Sequence, residues 1–102
     1  MPKLSEFAHA RSGDKGNHAN IGVIARDESA FTQLDQVLTE ERVANYFSAL
    51  APTKVQRFTL PGIRGFNFLL HNVLAGGGSK SLRIDSQGKT LALALLEMEL
   101  ED

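Results

Sequence analysis

The segment from His9 to Gly22 constrains this chain more than any other, because it joins two strand-like patterns through polar residues and glycines. It holds two histidines, one arginine, one lysine, one aspartate, two asparagines and three glycines in fourteen residues. The residues before and after it predict strands over 4–11 and 20–26. Turn-forming residues over 12–17 connect them. The sequence therefore predicts a β-hairpin around a polar loop.

The rest of the chain predicts alternating helices and strands. Asp27 and Thr39 are typical N-cap residues, and they predict helical segments over 28–38 and from Thr39 to about Leu50. A clean alternation predicts a third strand over Lys54–Leu60. The remaining predicted elements are a turn over 61–65, a helix over 66–75 capped by Gly76–Gly78, a strand at Leu82 and Ile84, a hairpin turn over 86–88 and a strand over 90–100. The prediction is a single α+β domain over 1–102, with the order β-β-α-α-β-α-β-β, a mainly antiparallel sheet and its helices on one face.

The last predicted strand carries apolar residues on both faces. Leu91, Leu93 and Leu95 alternate with Ala92 and Ala94. A strand that is exposed on one side would alternate apolar with polar residues, so we expect both of its faces to be covered. Helices cover one face of the sheet, and the other face then requires a second sheet, another copy of the chain or a different protein. The sequence therefore predicts a homo-oligomer or a complex with a partner.

The overall composition narrows the function classes. The chain has 102 residues, a net charge of -1 and no cysteine. This balance argues against nucleic acid or an anionic membrane as a partner, and the missing thiols exclude disulfides and cysteine nucleophiles. No apolar run is long enough to span a bilayer, and the first residues do not resemble a signal peptide. We therefore expect a cytoplasmic location.

The glycine-rich loop invites a phosphate-binding interpretation, but neither standard motif is present. Gly88-Lys89-Thr90 would need a glycine at Arg83 to complete a Walker A motif. The dinucleotide fingerprint is absent too. A backbone cradle helped by basic side chains remains, and its candidate ligand-binding residues are Arg11, Ser12, Gly13, Lys15, Gly16, Asn20 and Asn67. The alternative is a structural hairpin loop whose charged residues face water.

The three histidines lack the close spacing that marks a zinc site, so we expect no metal and no cofactor. General acid–base chemistry suits an imidazole better, and the catalytic candidates are His9, Asp14 and His71. Asn67 and His71 lie four residues apart on a predicted helix, so they would share one stripe. If that helix lies over the hairpin, the stripe would face His9, Asp14 and Asn20. The alternative for each histidine is a structural, hydrogen-bonded role.

Several motifs together resemble one known family. They are His9-Ala-Arg-Ser-Gly-Asp-Lys-Gly-Asn, Ala19-Asn-Ile-Gly-Val-Ile-Ala-Arg, Thr39-Glu-Glu-Arg-Val, Leu60-Pro-Gly, Asn67-Phe-Leu-Leu-His, Ala75-Gly-Gly-Gly and Ser81-Leu-Arg. They resemble the C-terminal domain of acyclic terpene utilisation (AtuA-like) proteins over essentially the whole chain. The resemblance implies a ferredoxin-like α+β domain. It also implies a link to acyl-CoA and terpenoid catabolism, and a larger N-terminal domain that this chain is expected to lack.

Three functions follow as hypotheses. The first is a small accessory domain or subunit that docks on a separately encoded AtuA-like large chain. The second is a protein or enzyme that binds an anionic, acyl-CoA-like small molecule through a polar site around His9, Lys15, Asn67 and His71. The third is a structural role without a ligand. The sequence leaves open whether the protein is an enzyme.

Overall fold

The computed structural model describes residues 2–15, 18–73 and 87–100, apart from the side chains of residues 14, 15 and 87–90. Within this part, four strands form one sheet and three helices pack against it. The elements are β1 (Ala8–Lys15), β2 (His18–Ala25), α1 (Glu28–Val37), α2 (Glu40–Tyr46), β3 (Lys54–Leu60), β4 (Gly65–His71) and α3 (Gln87–Leu96). Short 3-10 turns lie at Leu4–Glu6, Ser48–Leu50 and Pro61–Ile63. No helix in these ranges is long and apolar enough to cross a membrane.

The predicted hairpin is confirmed, but both of its strands extend into the segment that was predicted as a loop. β1 and β2 pair from Ala8↔Ala25 to Lys15↔His18, so residues 12–15 continue a strand where a loop was predicted. Only residues 16 and 17, which lie outside the described residues, separate the two strands in sequence. At the other end, Leu4–Glu6 forms a 3-10 turn instead of the start of a strand.

The helix predicted over 66–75 is wrong for residues 66–71, because they belong to strand β4, and residues 74 and 75 of that prediction lie outside the described residues. Phe66, Phe68 and Leu70 are buried, while the residues between them are half-buried. The apolar residues of this segment fit the two-residue period of a strand as well as the period of a helix, and pairing with β2 selects the strand. β2 lies inside the sheet, so its backbone groups need a partner strand on each side, and β4 supplies the second.

The strand predicted over 90–100 is also wrong, because α3 occupies most of it. Leu91, Ala92, Leu95 and Met98 are buried at helical spacing, whereas Leu93 is 63% exposed. Leucine and alanine are the strongest helix formers, and their alternation only imitates a two-sided strand. Gln87 and Gly88 belong to the same helix, so the hairpin turn predicted there is wrong at these two positions. The argument for an oligomer from a two-sided strand therefore no longer stands.

The sheet has the order β1-β2-β4-β3, and every neighbouring pair is antiparallel. All three helices pack on one face of it, as predicted. The described order β-β-α-α-β-β-α differs from the predicted β-β-α-α-β-α-β-β. The strand predicted at Leu82 and Ile84, and the cap predicted at Gly76–Gly78, lie outside the described residues.

Backbone hydrogen bonds join the residues near the two ends of the described chain. The Leu4 N–H donates to the Met98 carbonyl at 2.9 Å, and the Leu100 N–H donates to the Pro2 carbonyl at 2.7 Å. When the elements are followed cyclically from β2, with α1 and α2 as one helical layer, they run β-α-β-β-α-β. This is the ferredoxin-like order, so the described elements form an antiparallel α+β fold of that kind.

The core lies between the helices and the inner face of the sheet. It is built on Ile21 and Val23 of β2 and on Phe66 and Phe68 of β4, all essentially inaccessible to solvent. The ring of Phe31 on α1 stacks on Phe66 with 5.1 Å between centroids.

The helix starts predicted from the sequence are confirmed. Asp27 Oδ1 accepts a hydrogen bond from the Ala30 N–H at 2.8 Å, and Thr39 Oγ1 accepts one from the Arg42 N–H at 3.1 Å. Each bond satisfies a backbone donor that the helix itself leaves unpaired.

Arg57 of β3 fastens the sheet to the end of α1. Its guanidinium donates to the carbonyls of Asp35 and Leu38 at 3.2 and 3.0 Å, and to the Asp35 carboxylate at 2.8 Å. It also lies over the Phe66 ring, 4.9 Å from the centroid. Because α1 has no basic residue in its own last turn, Arg57 supplies the cation that the negative end of the helix dipole favours.

The backbone at Arg57 also shows how this edge of the sheet is protected. The Arg57 N–H donates to Glu40 Oε2 at 2.7 Å, so a side chain occupies an edge donor that another strand would otherwise take.

Replacing Arg57 with alanine should lower the free energy of unfolding by about 2–3 kcal/mol, because three hydrogen bonds to one charged, mostly buried group are lost. Arg64→Ala, at an exposed arginine in a turn, serves as the control and should change it by less than about 0.5 kcal/mol. Urea denaturation followed by circular dichroism measures both. Equal stability of the two variants would contradict the role of Arg57.

Candidate functional site

The sheet has a second face that no described helix covers. Side chains alternate along each strand, and those opposite the core point away from the helices. From β1 to β3, the residues of this uncovered face are His9, Arg11 and Gly13; His18, Asn20, Gly22 and Ile24; Gly65, Asn67, Leu69 and His71; and Lys54, Gln56, Phe58 and Leu60.

The strand registers arrange this face in rows. The first row runs His9–Ile24–Gly65–Leu60, and the second runs Arg11–Gly22–Asn67–Phe58. The third row runs Gly13–Asn20–Leu69–Gln56, and the fourth brings His18, His71 and Lys54 together beside the Lys15 backbone. The first row is mostly apolar, and the fourth is mostly polar.

Six of the residues singled out from the sequence share this face, namely His9, Arg11, Gly13, Asn20, Asn67 and His71. Ser12 lies on the opposite side of β1, where its Oγ accepts a hydrogen bond from the Ala92 N–H at 3.0 Å. Asp14 and Lys15 belong to β1, but their side chains lie outside the described part, as does Gly16. The structure thus gathers most of the candidates on one surface and leaves their binding or catalytic roles as predictions.

The two described catalytic candidates do not share one small site. His9 belongs to the first row and His71 to the fourth, so six residue positions separate them along the strands, roughly 20 Å. Asn67 and His71 do lie on one face, although through a strand and not a helix, and they are about 13 Å apart. A single reacting group therefore cannot contact both His9 and His71.

A histidine pair that the sequence analysis did not predict occupies the fourth row. The rings of His18 and His71 meet edge to face, with 4.7 Å between centroids. His18 Nδ1 accepts a hydrogen bond from the Asn72 N–H at 3.1 Å, and His71 Nε2 lies 2.8 Å from Gln56 Oε1. Asn72 adopts a left-handed backbone with φ of 62°, which directs its N–H to the imidazole. These contacts join the ends of three strands and indicate a structural role for both histidines.

A cleft of about 670 Å³ lies where β1 meets α3. Its described lining consists of Ala10, Arg11, Ser12, Gly13, Asn20, Gly22, Ala92 and Leu93. Four of these were candidate ligand-binding residues, and Asn67 is not among them. Sequence reasoning missed the α3 side of the cleft because that segment reads as a strand.

Glycines set the shape of the uncovered face. Among the described residues, a Cβ at Gly22 would meet only the Arg11 carbonyl oxygen, at 3.8 Å, and a Cβ at Gly13 would meet no atom within 4 Å. Both positions therefore open space above the backbone. A Cβ at Gly65 would lie 3.1 Å from the Val23 carbonyl oxygen and 3.3 Å from Ile63 Cγ1. Glycine within a strand often marks a place where a ligand or another backbone approaches closely. Gly22 is therefore the residue from which the floor of the cleft could have been predicted.

The charges on this face are of one sign. Arg11 and Lys54 are exposed, and no acidic side chain among the described residues belongs to the face. The described acidic side chains lie in the helices, their caps and the segments that flank them. Over residues 2–15, 18–73 and 87–100, no group of three His, Asp or Glu residues is arranged to hold a metal ion.

The antiparallel sheet with helices on one side defines an α+β domain of the ferredoxin-like class, and comparison with known families makes this specific. The family described as the AtuA ferredoxin-like domain matches residues 2–101. The chain therefore belongs to the AtuA ferredoxin-like domain family, as the sequence motifs indicated. No curated protein matches the chain. No solved structure matches it either.

The space at the two central glycines can be tested directly. Gly22→Ala should leave the free energy of unfolding unchanged or raise it by about 0.5 kcal/mol, because the new methyl group meets no close atom and restricts the unfolded chain. Gly65→Ala should lower it by about 1–3 kcal/mol, since the backbone oxygen of Val23 in a central strand cannot move away. Denaturant titration measures the free energy of unfolding of both variants. A Gly65→Ala variant that is more stable than wild type would contradict the crowding at that position.

The hydrogen bonds also assign a tautomer. The neutral His18 ring should carry its proton on Nε2, because Nδ1 accepts from Asn72. The ¹⁵N chemical shifts of the two ring nitrogens, recorded above pH 8, distinguish the forms. A protonated Nδ1 in the neutral ring would contradict this contact.

Proposed function

We propose that this protein is an accessory domain of an AtuA-like system and that its uncovered sheet face docks on the large chain of that system in the cytoplasm. The observation that carries the proposal is an apolar patch on this face, formed by Ile24, Phe58, Leu60 and Ile63. These side chains are between 41% and 55% exposed.

The patch is continuous within the sheet. Ile24 and Leu60 flank Gly65 in one row, and Phe58 lies beside Leu60 on the next. The Ile63 side chain borders Gly65. Grouped apolar side chains with a polar rim are typical of protein interaction sites. Burial of this patch by a partner would remove apolar surface from water, which favours association.

The charges on the uncovered face indicate the character of the partner surface. Arg11 lies in the second row and Lys54 in the fourth, and no carboxylate of the described residues accompanies them on this face. A partner surface with an apolar region and acidic groups beside it would therefore match both the patch and the cations farther along the face. This charge pattern makes a second copy of the chain a poorer occupant, since two such faces would bring like charges together.

A second proposal is that the protein binds an anionic small molecule. The acyl-CoA-like site around His9, Lys15, Asn67 and His71 is not favoured by the geometry, because the described members occupy three different rows of the face. The cleft lined by Arg11 and Asn20 favours a different arrangement of such a site.

Co-expression with an AtuA-like large chain from the same genome tests docking. The wild-type domain should co-purify with the large chain, and the double variant Phe58→Ser/Leu60→Ser should lose at least about 90% of the captured partner, because both substitutions place hydroxyl groups in an apolar interface. Leu93→Ser is the matched control, since it changes an exposed leucine on α3 and not on the patch.

Failure of the wild-type chain to co-purify would overturn the docking proposal. So would equal capture by the double variant. Light scattering of the domain alone tests a different occupant of the patch. If the wild-type domain is a dimer and the double variant Phe58→Ser/Leu60→Ser is a monomer, the patch binds a second copy of this chain.

A further inference from the structure

The geometry of the cleft between β1 and α3 points to a binding site for a small monocarboxylate with an aliphatic chain. This inference deepens the second proposal above and needs no partner protein. It moves the anion site away from the histidines and names the class of ligand.

The polar side of the cleft matches one carboxylate group. Arg11 contributes a guanidinium, whose donors pair with both oxygens of a carboxylate. Asn20 adds an amide on the neighbouring strand, diagonally across from Arg11.

The floor of the cleft admits a ligand close to the backbone. Gly13 and Gly22 lie beside Arg11 and Asn20, and a Cβ at either position would meet no described atom closer than 3.8 Å. The cleft volume of about 670 Å³ falls within the usual range of small-molecule sites, roughly 300–1,000 Å³. Because a Cβ at Gly22 would meet no described atom closer than 3.8 Å, this position suits a blocking substitution.

The opposite wall of the cleft is apolar. Ala10 of β1 faces Ala92 and Leu93 of α3, and Leu93 is 63% exposed. An aliphatic chain on the carboxylate would cover this leucine, so the ligand gains from the hydrophobic effect at one end and from Arg11 at the other.

The charge count favours a monoanion. Arg11 is the one cation among the described lining residues, and neither described salt bridge, Lys3–Glu97 or Arg57–Asp35, involves it. A coenzyme A group carries several phosphate charges and would require more cations than this lining offers. The described lining therefore fits a free carboxylic acid better than its thioester.

Octanoate is a suitable probe, and octanamide is its neutral control of the same shape. Titration of the ¹⁵N-labelled full chain should shift the amide signals of Gly13 and Gly22, and octanamide should bind at least about tenfold more weakly, because it lacks the charge that pairs with Arg11. Coenzyme A alone should leave these signals unchanged.

Two variants and a control locate the site. Arg11→Gln should weaken octanoate binding by about tenfold or more. Gly22→Leu should abolish binding, since its Cβ meets no described atom closer than 3.8 Å and its longer side chain would occupy the floor of the cleft. The melting temperature of this variant is measured alongside to show that it is folded. Arg64→Gln, at an exposed arginine outside the cleft, should bind as wild type does.

Four results would each overturn the inference: no octanoate binding by the wild-type chain, equal affinity for octanoate and octanamide, unchanged affinity in Arg11→Gln, or coenzyme A binding at Gly13 and Gly22. The last result would restore the acyl-CoA-like ligand. Because the titration uses the domain alone, its failure is distinguishable from a failure of docking, which the co-purification measures.

Discussion

The pairing of β2 with β4 at the centre of the sheet is the constraint on which the rest of the structure depends. Its register places Ile21 opposite Phe68 and Val23 opposite Phe66, so four large apolar side chains meet on the helix-covered side. The same register places Gly22 opposite Asn67 on the other side. A shift by one residue would exchange the two faces, exposing the phenylalanines and burying the asparagine.

The sequence of β4 fits a helix as well as a strand, which is why it predicts the wrong element. Phe66, Leu69, Leu70 and Val73 form a helical stripe, and Phe66, Phe68 and Leu70 form an alternating strand pattern in the same residues. Local periodicity does not decide between them. The need of β2 for a second partner does, and that need becomes visible only when β2 is placed inside the sheet.

For α3 the error is the opposite one, because its sequence predicts a strand and the structure has a helix. Its alternating leucines and alanines fit a strand with two apolar faces, yet both residue types favour helices. Chemistry that acts within a few residues was easier to predict. The caps at Asp27 and Thr39 are confirmed because their hydrogen bonds join residues three positions apart, and the first hairpin is confirmed because its two strands follow each other directly in the sequence.

The candidate site was partly predictable for the same reason. Arg11, Gly13 and Asn20 stand near one another because one hairpin carries all three, and alternation places them on one face. The α3 wall of the cleft, formed by Ala92 and Leu93, comes from a distant part of the chain. The apolar patch likewise joins β2, β3 and the turn before β4. The spacing of residues along the sequence does not show which distant segments come into contact in the fold.

The contact between residues 2–4 and residues 98–100 has a consequence for any polypeptide that is fused to this domain. Leu4 and Leu100 are both anchored in the core, and the backbone bonds of this contact close the described chain almost into a ring. Any polypeptide joined at either side would leave from the same point. Polypeptides fused to the two ends would therefore lie next to each other, and neither would need to break a pairing of the four-stranded sheet.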